Sequence, residues 1–289
     1  MHDWEQRNPD SGIKGPIMRK SLRGEFDSVD RTSDPRDFVR YLDATRTTDF
    51  IQEIKRRSFA LMELRDGEIV ADLGCGTGED VRSLAALVGP TGRAIGIDLS
   101  STMIATARDR SGECGLNLSF VQGDVQKLDF GDGYFDAIRA ERLLQHTPDP
   151  QTALREMIRV LKPGGKIVSW EADLDLFIID AQDYETSRIM QRFICDSFHH
   201  GGIGHSLYRR FLELGLTDVR ATPLVRNVVD LPLIESAFDL RASVGRAIEQ
   251  HLIEANKGTR WLDSLWSASK SGHFMSAIGG FITIGRKSN

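Results

Sequence analysis

The stretch VADLGCGTGED, residues 70–80, sets Asp72 near the end of an apolar run, followed by Gly74, Gly76 and Gly78 in the frame D-x-G-x-G-x-G. Glycines let a backbone turn tightly and let a ligand approach the main chain where a Cβ would block it. A helix opening near Thr77 would turn unpaired N–H groups toward a polar ligand. A dinucleotide fingerprint needs a small residue at position 79. Glu79 stands there instead, an anion where a pyrophosphate would rest. The frame suits a ligand without phosphates.

Three further segments carry candidate binding groups. Asp98, within GIDLS, ends the second apolar run 20 residues after Gly78, where a carboxylate can accept both hydroxyls of a ribose. GDVQKLDF sets Asp124 and Val125 just past a third apolar run, positioned to read an adenine amino group and pack its ring. FDAIRAERLLQH takes Asp136 into a strand whose end presents Arg139, Glu141 and His146, and LKPGGKI supplies a Pro-Gly-Gly turn.

These groups need a frame. Short apolar runs at 69–73, 94–98, 118–122, 135–140 and 166–170 predict strands, and the stretches 79–88, 101–110 and 151–161 predict helices. This alternation implies a parallel sheet with helices on both faces, binding ligands outside the carboxyl ends of its strands. Residues 37–64 read as two amphipathic helices, and residues 1–35, rich in charge, Gly and Pro without a period, as a mobile arm. Beyond Trp170 the pattern predicts a helix over 184–198, another over 206–216, a strand at DVRATPLV, a helical stretch over 233–271 and a last strand over 277–287. The insertions at about 175–205 and 233–271 have no sheet role and are expected to form a lid. The result is one domain over 36–289.

Composition narrows the function. The chain has 289 residues and 40% hydrophobic content, enough for a core without staples. Its net charge of −5 argues against a surface built to grip nucleic acid. Cys75, Cys114 and Cys195 are odd in number and far apart, so neither a disulfide framework nor a metal ribbon fits, and no metal site is expected. No apolar run approaches the ~18 residues that span a bilayer, which makes a cytoplasmic protein the expectation.

In order, VADLGCGTG, GIDLS, GDVQKLDF, FDAIRAERLLQH and LKPGGKI resemble the class I S-adenosylmethionine-dependent methyltransferases, in the small-molecule branch related to ubiquinone and menaquinone biosynthesis methyltransferases. The resemblance is strong over roughly 65–172. It implies an α/β fold, a Rossmann-like seven-stranded mostly parallel sheet whose last strand is antiparallel, with S-adenosylmethionine at the carboxyl ends of its strands. Carried over, Gly74, Cys75 and Gly76 would line the methionyl part and Asp72 would hold that loop or the amino group. Asp98 would bind the ribose, Leu99 and Met103 would pack beside the adenine, and Asp124 and Val125 would frame it. Arg139 would lie near the methionine carboxylate or the sulfonium. Where the quinone enzymes carry Asn-Asp-x-Met-Ser, this chain has ERLLQHTPDP.

Methyl transfer from a sulfonium needs alignment more than a nucleophilic side chain. If a base assists, His146 is the first candidate and Glu171, just past the fifth run, the second. FHHGGIGH holds His199, His200 and His205, and Tyr41 and Arg46 lie on the N-terminal helices expected to cover the cofactor. Trp261, Leu262, Leu265 and Trp266 form an apolar stripe, either core, dimer contact or acceptor wall. The expected acceptor is a small apolar or aromatic metabolite, methylated at C, O or N, without nucleic-acid or membrane partners. An RNA or protein methyltransferase and a binding-only relative are the alternatives.

Overall fold

The computed structural model describes residues 26–112 and 114–289. Its centre is a sheet whose strands run in the order β3-β2-β1-β4-β5-β8, where β1 is Ile69–Leu73, β2 Arg93–Asp98, β3 Leu118–Gln122, β4 Phe135–Glu141, β5 Leu161–Ala172 and β8 Ser276–Arg286. The first five are parallel to their neighbours, and β8 returns antiparallel against β5. The long β7, Thr217–Val228, also pairs antiparallel with β8. The seven expected strands are therefore present, with an eighth, β6 at Ile178–Ile179, too short to leave a period in the sequence.

Apolar side chains on both faces of the central strands are covered by helices. On one face α5 (Pro150–Val160) and α7 (Ile203–Glu213) bury Leu154, Met157, Leu207 and Phe211 against Ile138 and Ile167. On the other, α2 (Asp49–Met62), α3 (Glu79–Val88) and α4 (Ser101–Ser111) bury Ile54, Leu84 and Ile104 against Val70 and Val168. Helix α1, Arg36–Arg46, precedes them. In α2 the residues Ile51, Ile54, Ser58 and Met62 are buried together, the stripe a 3.6-residue period requires, and Thr48 caps the first turn.

A third core forms beyond β5. Helices α6 (Tyr184–Asp196), α8 (Leu231–Phe238), α9 (Leu240–Glu249) and α10 (Ala255–Lys270) gather Leu174, Met190, Phe238 and Trp261 into a helical cap. Trp261, Leu262 and Leu265 are core residues of that cap, and the Trp261 Nε1–H donates to Ser187 Oγ at 2.9 Å. No described helix is long and apolar enough to cross a membrane.

The segment expected as a mobile arm divides. Residues 1–25 lie outside the described residues, whereas 26–35 are built into the fold. Asp30 crosses to α4 and accepts from Ser100 Oγ at 2.7 Å, Ser101 N at 2.7 Å and Thr102 N at 3.2 Å, supplying from a distant segment the acceptor that helix N-termini need. Phe26 and Val29 pack with Phe38 and Met103 in a small cluster of their own.

Candidate active site

The carboxyl edge of the sheet holds a cavity of about 110 Å³ lined by Gly74, Gly76, Asp98, Met103 and His146 together with Phe26, Val29, Tyr41, Leu42, Glu141, Arg142 and Gln145. Gly74, Gly76 and Gly78 all have positive φ, at 69°, 50° and 79°, so each holds the left-handed backbone that glycine adopts freely. A Cβ on Gly74 would press on Leu143 and one on Gly76 on Leu42, both at 3.0 Å, so the loop admits backbone only.

Asp98 fixes this loop to the end of β2. One carboxylate oxygen accepts from Gly76 N at 2.9 Å and the other from Ser100 N at 2.9 Å. Burial raises its carboxyl above the ordinary range, and the two N–H groups oppose that rise.

Several expected site residues stand away from the cavity wall. Arg139 is buried at the end of β4, where its guanidinium meets Asp72 at 2.9 Å, Asp80 at 3.0 Å and Glu141. Its Nε–H donates to Ser58 Oγ at 3.1 Å, the Phe59 ring lies 5.0 Å away, and Lys55 pairs with Asp80 at 2.6 Å. Burial outweighs the pull of Arg139 on Asp72, whose carboxyl is pushed up to about 7. Arg139 and Asp72 thus sit in an ionic cluster beneath the glycine loop, where Arg139 is spent on three carboxylates.

Cys75 turns into the core, its thiol shifted upward by burial, and its Sγ lies so close to Gly96 that a Cβ there would approach within 2.9 Å. Leu99 is exposed. Asp124 accepts from Gln126 N at 2.8 Å and Val125 joins the core on the α5 face, so neither reaches this cavity wall.

Glu171 likewise lies beneath the site, fully buried. Its carboxylate accepts the backbone N–H groups of Leu143 at 3.1 Å, Leu144 at 2.9 Å and Gln145 at 3.3 Å. Burial pushes its carboxyl up to about 7 in spite of those bonds. Its place is to hold the loop after β4, not to face an acceptor as a base.

That loop carries the cavity's polar wall. Arg142 adopts φ of 52° and donates its N–H to Trp170 O at 2.8 Å. Gln145 Nε2 donates to His146 Nε2 at 2.9 Å, and the imidazole lies tilted by 35° against the Phe26 ring, with centroids 5.0 Å apart. Burial first, and then the Arg142 charge, lower the His146 pKa to about 4, so the ring is neutral at physiological pH.

The other histidines serve different ends. His205 Nδ1 lies 2.7 Å from Asp173 Oδ2, and the same oxygen accepts His205 N in the first turn of α7. Asp173, Asp175 and His205 bring ligand-type atoms within 4.8 Å of one another, but Asp173 is already engaged as the cap of α7. His199 approaches Asp27 at 4.0 Å, beside the Phe26 cover.

A larger cavity, about 430 Å³, lies in the helical cap between Glu185, Ile189, Ile248, His251 and Lys257. It shares no residue with the glycine loop, and the converging backbone and carboxylate groups mark the smaller cavity as the functional one. Sequence reasoning missed Phe26, Val29, Leu42 and Gln145 as wall residues. Phe26 and Val29 lie in a segment without periodicity, and only the fold brings them across to His146 and Met103.

A glycine loop after β1, a carboxylate at the end of β2 and a sheet that closes on an antiparallel strand together define the architecture of class I methyltransferases. Residues 70–165 match the family model described as a methyltransferase domain. The chain is 36% identical over 279 residues to the uncharacterized 37.1 kDa protein in transposon TN4556 of Streptomyces fradiae, covering 93% of this chain and 79% of that protein. It is 40% identical over 119 residues to the ubiquinone/menaquinone biosynthesis C-methyltransferase UbiE of Ectopseudomonas mendocina (strain ymp), covering 40% of this chain and 46% of the relative. The chain therefore spans less than half of that enzyme's length. The crystal structure of the YcgJ protein from Bacillus shares the fold, with a TM-score of 0.59 at 18% identity over 82% of this chain and 99% of that one. The chain belongs to the class I S-adenosylmethionine-dependent methyltransferases.

The residues present fit that cofactor. The loop at Gly74 and Gly76 is a cradle that a Cβ would fill, and Asp98 stands at its rim. Gly74, Gly76, Asp98 and Met103 would hold it. When bound, S-adenosylmethionine supplies an electrophilic methyl group on a sulfonium.

Proposed function

We infer that this methyltransferase acts on a small apolar or aromatic metabolite. One observation carries the reading: the cavity beside the glycine loop is lined on one side by Phe26, Val29, Tyr41 and Leu42 of the N-terminal segment, a largely apolar cover. At about 110 Å³ the cavity is smaller than the ~300 Å³ at which small-molecule sites begin, so cover and wall must part to admit ligands and then close on them. A closing cover favours a compact acceptor over a polymer held in an open groove. Holding the acceptor in line with the methyl group is the main task of the chain's residues, and neutral His146, Gln145 and Arg142 are the polar groups placed to orient it.

The similarity to the quinone enzyme covers 119 residues and so supports the cofactor half more than the acceptor. The decisive experiment incubates the protein with methyl-tritiated S-adenosylmethionine and a library of aromatic, enolic and amine metabolites, followed by mass spectrometry of labelled products. Label in one small-molecule class supports the reading. Label only in added RNA or protein overturns it.

A further inference from the structure

Two buried donors in the cavity wall have no hydrogen-bond partner among the described residues: the Nε of Arg142 and the Nδ1 of His146. Buried polar groups are seldom left unpaired, because each forfeits its bonds to water. Both residues lie on one five-residue loop and line one cavity, with the two orphan atoms buried behind its surface.

The His146 orphan is a donor for a definite reason. The amide of Gln145 presents Nε2, which can only donate, so the facing ring nitrogen accepts and the proton of the neutral ring resides on Nδ1. Arg142 brings a permanent positive charge beside it. Among the described residues it makes one ion pair, with Glu141 at 3.5 Å, and that carboxylate is already engaged by Arg139.

The loop is built to hold these donors in place. Arg142 occupies the left-handed region, unusual for a residue with a Cβ. Trp170 O anchors its N–H, and Glu171 takes the next three backbone N–H groups from below. Strained backbone held by several independent bonds is characteristic of binding sites. Beside the imidazole stand rings: Phe26 lies 5.0 Å from it, 4.9 Å from Phe38 and 5.9 Å from Tyr41.

We propose that Arg142 Nε–H and His146 Nδ1–H form a subsite for an ionised oxygen of the methyl acceptor, so that the substrate class is an aromatic or enolic metabolite bound as its oxyanion. The proposal rests on the methyltransferase reading above. The aromatic wall beside the donors favours the acceptor over the cofactor's own methionyl carboxylate, whose aliphatic chain has no use for it. An acceptor held as the anion brings its own electron pair, and this explains a neutral, donating histidine where a base was expected.

The test uses the full chain. Calorimetry measures S-adenosylhomocysteine and its analogue lacking the carboxylate on wild type, Arg142→Gln and His146→Phe, the last keeping the ring stacked on Phe26 while removing the N–H. Benzoate and its uncharged counterpart benzamide are then titrated into the S-adenosylhomocysteine complex and followed by NMR. The expected result is a preference of wild type for benzoate of about tenfold or more, lost in both variants, while S-adenosylhomocysteine binds all three proteins within about twofold.

Wild type that takes benzoate and benzamide alike, or neither, overturns the subsite. A variant that loses S-adenosylhomocysteine but keeps the analogue lacking the carboxylate gives the donors to the cofactor and overturns the acceptor assignment. Nitrogen shifts of His146 showing the proton on Nε2 also count against it. Should Arg142→Gln fail to fold, His146→Phe and the nitrogen shifts still decide. Failure of wild type to bind S-adenosylhomocysteine at all sinks the methyltransferase reading instead, so the two failures are distinguishable.

Discussion

Asp98 at the end of β2 grips Gly76 across the top of β1: its Oδ2 accepts the Gly76 N–H at 2.9 Å while its Oδ1 holds Ser100 N at 2.9 Å. The same carboxylate therefore shapes the glycine loop and stands at the cavity rim. Asp98→Asn keeps the size but exchanges an acceptor for a donor that faces N–H groups. We expect S-adenosylhomocysteine affinity to fall by about ten- to a hundredfold, as loss of a charge-assisted bond implies. Calorimetry against wild type checks this, and unchanged affinity removes Asp98 from the site.

The glycine loop and Asp98 were legible in the sequence because positive φ demands glycine and a strand end fixes where a carboxylate must stand. The parallel run of the first five strands was legible for a similar reason, since apolar runs alternating with helices imply parallel pairing; their order in the sheet was not. Arg139 was misplaced because the sequence shows only that it ends a strand. Its partners Asp72 and Asp80 come from another strand and another helix, 67 and 59 positions away. The N-terminal cover was illegible for the opposite reason: residues 26–35 are held by isolated long-range contacts, the Asp30 bonds to α4 and the packing of Phe26 and Val29, and not by a periodic apolar face.

The Arg139 cluster makes a stability prediction. Arg139→Met leaves Asp72, Asp80 and Glu141 facing one another around an apolar side chain. Removing one partner of a buried ionic set costs about 3–5 kcal/mol. Urea unfolding at pH 8 is expected to show that loss, with a smaller one at pH 5.5, where protonation of the raised Asp72 carboxyl relieves the repulsion. Equal unfolding midpoints for variant and wild type would remove the cluster from the account of stability.

Glu171 predicts a pH dependence of opposite cause. Its folded pKa of about 7 exceeds the ordinary 4.5, so between those values the folded chain holds a proton the unfolded chain has released. Its contribution is fully present below pH 4.5 and is lost as pH rises through 7, by up to about 3 kcal/mol. Glu171→Gln cannot titrate. Measured by denaturant unfolding from pH 5 to 8, wild-type stability is expected to decline relative to Glu171→Gln, which at low pH is itself the weaker protein for having lost an acceptor of the loop N–H groups. Parallel curves would refute the assignment.

The cover over the cavity is tied down at two places, and each can be released alone. Asp30 binds the first turn of α4 through Ser100, Ser101 and Thr102. Burial works to raise its carboxyl, but those bonds outweigh it and hold the pKa at about 2, so the anchor is ionised throughout the physiological range. Phe26 binds by apolar packing in the Val29, Phe38 and Met103 cluster and by ring contacts to Phe38, Tyr41 and His146, the ring contacts worth about 0.5–1.5 kcal/mol each. Asp30→Ala should raise hydrogen exchange in residues 26–31 and in the first turn of α4 together, whereas Phe26→Ala should raise it in the segment while sparing α4. If closing of the cover retains the cofactor, both variants release S-adenosylhomocysteine faster, by about tenfold for a loss near 1.4 kcal/mol, and stopped-flow displacement reads that rate directly. Faster exchange without faster release would mean that the segment braces α4 and plays no part in holding the ligand.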